Sequence, residues 1–114
     1  MSRITTHVLD TARGRPAAGV RVRLGRIGGD GAVEPVGQGV TDDDGRLRDL
    51  LNADDALAAG TYRLTFDTAA YFDAQQLTSF YPSVSIDFEV REGSEHYHVP
   101  LLLSPFGYST YRGS

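Results

Sequence analysis

The chain has 114 residues, 40% of them hydrophobic and 23% charged, with a formal charge of −4, which suits one domain (1–114) with its own apolar core and no metal or disulfide staple. The acidic balance and scattered arginines exclude a general affinity for nucleic acid, and no apolar run approaches the roughly 20 residues that span a membrane. Cysteine and lysine do not occur, so thiolate nucleophiles, sulfur ligands and Schiff bases are excluded and any chemistry rests on His, Arg, carboxylates and hydroxyls.

The opening MSRITTHVLD has no basic segment followed by an apolar one, so the expected compartment is the cytoplasm. A first strand is expected at 4–10. In VRVRL, Val20, Val22 and Leu24 alternate with Arg21 and Arg23, the period of a half-buried strand. The glycine-rich patch at 25–31 reads as a hairpin loop, followed by a weaker strand near 32–40 and a short one after Gly45. TYRLTFD and VSIDFEVR alternate cleanly, with Tyr62, Leu64 and Phe66, then Val84, Ile86, Phe88 and Val90, on one face. Between them TAAYFDAQQL lacks alternation and is rich in helix formers, which predicts one short helix over 68–77 with Thr68 as its cap. Strands at 96–103 and 107–111 bring the number to about eight. Turn signals separate them at 12–16, 28–31, 42–45, 58–60 and 91–93, as in a sandwich.

Three histidines carry most of the chemical interest. His96 and His98 are two apart in an extended run, so they share a face, while Tyr97 and Val99 take the other. His96, the outer one, reads as a half-solvated residue at the strand entrance. His7 shares the face of Thr5 and Leu9. Arg46 follows TDDDG, where the plain reading is a solvated turn arginine balancing aspartates. Calcium is set aside because the EF-hand spacing with its closing glutamate is missing. A His-x-His pair with a third histidine would make a three-nitrogen zinc site with a position open for water, so a zinc-dependent hydrolase stays an alternative.

The stretches HVLDTARGRPAAGVRVRL, TDDDGRL, FYPSV and above all HYHVPLLLSPFGYSTYRGS resemble the transthyretin-like 5-hydroxyisourate hydrolases over nearly the whole chain. The terminal YRGS is the most specific piece, because it separates these enzymes from true transthyretins. The resemblance implies an all-β, prealbumin-type sandwich of two four-stranded sheets with one short α-helix. It also implies a homotetramer with active sites where dimers meet, and 5-hydroxyisourate opened to 2-oxo-4-hydroxy-4-carboxy-5-ureidoimidazoline without a cofactor. His7, Arg46 and His98 match the family's catalytic positions; His7, Arg46, Tyr111 and Ser114 match its substrate-binding ones. His96 matches none. The same fold could instead carry a ligand in its channel without catalysis, so a transport module is the competing expectation.

Overall fold

A computed structural model describes residues 3–51, 57–91 and 95–114. In chain order its elements are β1 (Ile4–Asp10), β2 (Arg15–Pro16), β3 (Arg21–Ile27), β4 (Val33–Val40), β5 (Arg46–Leu47), β6 (Gly60–Phe66), α1 (Thr68–Asp73), β7 (Val84–Val90), β8 (Tyr97–Ser104) and β9 (Gly107–Thr110). One sheet runs β4-β3-β6-β7, all antiparallel. The other runs β2-β1-β8-β9, with β5 also on β1. The expected two-sheet sandwich is present, but this second sheet has five strands instead of four, because two-residue β2 and β5 both pair with the β1 edge left free by β8. No helix is long and apolar enough to cross a membrane among the described residues.

Alternation does what the sequence predicts. Tyr62, Leu64 and Phe66 of β6 meet Ile4, Val8, Leu101 and Leu103 of the other sheet in one buried cluster. Burying a side chain of this size contributes about 1.5–3 kcal/mol, so the facing apolar rows hold the sheets together. The pairing of β1 with β8 is parallel, from Ile4 opposite Tyr97 to Asp10 opposite Leu103.

Two expectations change. The 25–31 patch is only partly a loop, because β3 continues to Ile27. Gly25 follows a register shift after Leu24, and the Val33 side chain fills the space a Cβ would need. Its glycine signals close approach within a bulged strand, not a turn. The helix ends at Asp73, not 77, because Gln76 adopts φ 60° and the Leu77 amide bonds back to the Phe72 carbonyl. Asp67 takes the cap position without a side-chain cap bond. Its carboxylate accepts from Arg23, while the Thr68 hydroxyl reaches the Tyr81 carbonyl. Of the expected turns, 91–93 lies in part outside the described residues.

Buried polar groups are tied off. The Thr41 hydroxyl accepts from the Val20 amide and donates to the Ala17 carbonyl, and the Thr6 hydroxyl donates to the Val99 carbonyl at 2.6 Å. Asp10 is fully buried at the end of β1. One of its oxygens accepts from the Arg13 amide and the other from the Tyr71 hydroxyl, at 2.7 Å. Burial first, and this bond to Asp10 second, raise the Tyr71 pKa above its ordinary value of 10.0, so the phenol stays a donor. Tyr71→Phe removes that donor and leaves a buried carboxylate oxygen without its partner. The expected cost is about 1–3 kcal/mol, read as a lower urea midpoint at unchanged slope.

Candidate active site

The β1–β8 register sets Thr5 directly beside His98, and the short β5 pairs Arg46 with His7. Residues from distant parts of the chain therefore meet at one end of β1. The Arg46 backbone is held by the turn before it. One Asp42 carboxylate oxygen accepts from the amides of Asp44 and Arg46, each at 2.9 Å. The Arg46 amide is the main cause of an Asp42 pKa below the ordinary carboxylate value. Gly45 closes the turn at φ +75°, where the Val8 carbonyl leaves no room for a Cβ. Asp42 makes its hydrogen bonds to backbone amides and meets the Arg46 guanidinium only through its charge. Among the described residues the half-buried guanidinium has no hydrogen bond or ion pair. Arg46 is thus a turn arginine beside an aspartate's charge whose guanidinium donors are left unbonded among the described residues.

Arg46 lines a depression of about 170 Å³ with Thr5, Thr6, Arg48, His96, His98 and Ser114. His98 is half-buried, with Nδ1 2.8 Å from the Thr5 hydroxyl. Desolvation is the largest cause holding its pKa below the ordinary 6.5, followed by the positive charge of Arg46 and by His96 and His7. At neutral pH the ring is a neutral imidazole with a cation nearby, which is the pairing a general base and an oxyanion partner require.

The tail closes one side. The Gly113 amide donates to the His98 carbonyl at 2.8 Å, forming a single antiparallel bridge. The His98 ring lies so near Gly113 that a Cβ there would stand 2.5 Å from Cδ2. Only glycine lets the tail run under the imidazole. Arg112 adds an outer fastening, its guanidinium 4.9 Å from the Tyr97 ring centroid and 3.5 Å from the Glu95 carboxylate.

The residues singled out in the sequence thus fall into two groups. Arg46, His98 and Ser114 share the depression. His7 stands beside it, half-buried, donating from Nε2 to the Asp44 carbonyl at 2.9 Å. Tyr111 faces a neighbouring cavity of about 320 Å³, with Asp87, Phe88 and Tyr97, and His98 borders both spaces. Sequence reasoning missed Thr5, Arg48 and Gly113, and kept His96 at the strand entrance. His96 does precede β8 and is exposed, yet its Nε2 lies 3.1 Å from the Thr5 hydroxyl and its ring is stacked 6.5 Å from that of His98. Shared parity of His96 and His98 was the available signal; the hydroxyl between them depends on strand register.

The histidines do not form a metal cradle. Nδ1 of His98 and Nε2 of His96 both face the Thr5 hydroxyl, and among the described residues no three His, Asp or Glu side chains converge as ligands. A larger depression of about 530 Å³, lined by Arg23, Val33, Val36 and Arg63, contains no histidine.

The profile of the HIUase/Transthyretin family matches residues 4–113. The chain is 52% identical to a 5-hydroxyisourate hydrolase of Deinococcus radiodurans, covering 97% of this chain and 95% of that protein. It is also 52% identical to the Arabidopsis thaliana uric acid degradation bifunctional protein TTL, spanning 97% of this chain but 37% of the longer protein. Among solved structures, the 5-hydroxyisourate hydrolase of Klebsiella pneumoniae superposes with a TM-score of 0.84 at 39% identity, covering 97% of this chain and 98% of that one. The transthyretin of Sparus aurata superposes at 0.91 with 34% identity, over 99% and 97% of the two chains. With its two-sheet architecture, one short helix and a profile match from the first strand to the glycine of the tail, the chain belongs to the HIUase/Transthyretin family.

Proposed function

We propose that the protein hydrolyses 5-hydroxyisourate in urate degradation, with His98 as general base and Arg46 as oxyanion partner. The observation that carries this reading is the unpaired Arg46 guanidinium sharing a small depression with a neutral His98 imidazole. The names of the hydrolase relatives supply the substrate. A ligand carrier would need a mainly apolar channel, whereas this lining is threonine, arginine, histidine and serine.

Water attacks the ring carbonyl as the neutral imidazole takes its proton, a contribution of roughly 100- to 10,000-fold. Negative charge then grows on the carbonyl oxygen, where the planar Arg46 guanidinium, unbonded among the described residues, offers paired donors; the intermediate collapses with cleavage of the ring C–N bond as protonated His98 gives its proton to the leaving nitrogen. His7 orients the heterocycle from beside Arg46, its own ring fixed by the Asp44 carbonyl. Ser114 bounds the depression where the tail crosses His98.

At about 170 Å³ the depression is smaller than the roughly 300–1,000 Å³ typical of ligand pockets. We infer that it is one wall of a site completed in a homotetramer, where Tyr111 meets substrate. Tyr111 is 58% exposed, and Phe80, Phe106 and Tyr108 are exposed large apolar residues near the free edge of β9. Exposed aromatic surface of this kind favours association.

The direct test follows the absorbance decay of freshly generated 5-hydroxyisourate with and without protein. Arg46→Glu should lower kcat about 100- to 1,000-fold with the fold intact, and turnover within twofold of wild type would refute its role. Because His98 is held neutral, its base form persists below the ordinary 6.5. The acid limb of the kcat/KM profile should therefore lie below pH 6.5 and move toward that value in Arg46→Gln, which removes one cause of the depression. Gly113→Ala must displace the His98 ring or lift the tail. It should cost at least about tenfold in kcat with little change in Tm, and full activity would show that the tail's path does not matter.

A further inference from the structure

A general base at His98 needs its ring proton on one particular nitrogen. Nδ1 lies 2.8 Å from the Thr5 hydroxyl, so Nε2 is the ring nitrogen left to receive the proton of the attacking water. A neutral imidazole with a bare Nε2 carries its one proton on Nδ1. On the hydrolase reading, therefore, Nδ1 donates to Thr5 and the Thr5 oxygen accepts.

That requirement decides where the Thr5 hydroxyl proton goes. Aimed at His98 Nδ1, it would hold the bare nitrogen there and force the ring's own proton onto Nε2, where the base must be empty. Thr5 is only 4% exposed, so water has little access to take the proton instead. The other partner of the hydroxyl among the described residues is His96, whose Nε2 lies 3.1 Å away. The two rings are nearly parallel, at 13° with centroids 6.5 Å apart, and each turns a nitrogen toward the hydroxyl between them. We propose that His96 is a positioning residue: by accepting the Thr5 proton at a bare Nε2, it holds His98 in the tautomer whose lone pair is on Nε2.

The donors then point one way, from His98 to Thr5 to His96, and no proton travels along them. Nε2 of His98 takes a proton from water and returns it to the leaving nitrogen as the C–N bond breaks. Nδ1 keeps its own proton throughout, so the ring ends each cycle in the tautomer in which it began. The carboxylic acid formed at the cleaved carbonyl loses its proton to solvent. While His98 is an imidazolium, its Nδ1 donor still faces a free lone pair, because the Thr5 proton is turned toward His96. A third group that orients the base from behind is a recurring arrangement in hydrolases. His96 acts through Thr5 and needs no contact with the reacting atoms.

The chain has three histidines, so long-range proton–nitrogen NMR of the full chain with nitrogen-labelled histidine reads each ring's tautomer, with His7→Asn and His96→Gln for assignment. With His98 neutral, the wild type should carry the His98 proton on Nδ1 and show a bare Nε2 on His96. His96→Leu fills the volume without an acceptor. It should shift His98 toward the form protonated on Nε2 and lose about tenfold or more in kcat, within the range of general-base steps, with KM nearly unchanged. His96→Gln offers an amide oxygen where Nε2 stood, and should keep both the wild-type tautomer and most of the wild-type kcat. A wild-type His98 protonated on Nε2, or wild-type kcat in His96→Leu, would overturn the role of His96 and leave the hydrolase reading standing. So would a loss in His96→Leu with the His98 tautomer unchanged, because a packing defect slows the enzyme without moving a ring proton. Absence of hydrolysis by the wild-type chain would remove the hydrolase reading, and the role of His96 with it.

Discussion

The parallel pairing of β1 with β8 is the contact on which the molecule's chemistry depends. Seven consecutive register partners, from Ile4 with Tyr97 to Asp10 with Leu103, place both strands inside one sheet. Along the inner face this puts Ile4, Val8, Leu101 and Leu103 into the core. Along the other it sets Thr5 between the two imidazoles. A slip of one residue would exchange those faces. Because the core rows oppose such a slip, the energy that holds the sandwich together also fixes the hydrogen bonds of the site.

The edges of that pair carry the remaining parts. β5 contributes two residues, one of them Arg46, and is shaped by a turn whose Asp42 carboxylate serves the backbone. That turn leaves the guanidinium without a hydrogen-bonded partner among the described residues. The tail returns on the other side through one amide bond, and Gly113 allows it to pass beneath His98. The arrangement keeps irregular, functional segments at the rim and regular strands beneath them.

Much of this could be read from the chain itself, for physical reasons that differ by element. β6 and β7 were legible because each has one wet and one dry face, which forces alternation. The helix was overextended because Gln75, Gln76 and Leu77 have good helical propensity, whereas in the structure Gln76 adopts a positive φ that ends the helical run. Gly25 looked like a turn because glycine marks both turns and close approaches. At the site, parity put His96 and His98 together, but Thr5 joined them through a parallel register between strands some 90 positions apart, which no local pattern encodes. For Arg46 the sequence shows which charges are neighbours, not which donors are already hydrogen-bonded.

The bond between Thr5 and His98 joins residues 93 positions apart. Closing so long a loop carries a large entropic cost, and contacts of this separation slow the search for the native state. The β3–β4 hairpin and the β3–β6–β7 ladder are antiparallel and bridge shorter spans, so much of one sheet can assemble before the residues of the candidate site meet. A partly folded chain can therefore have extensive strand content with no site at all, and recovery of activity on refolding would report the slowest closure in the molecule.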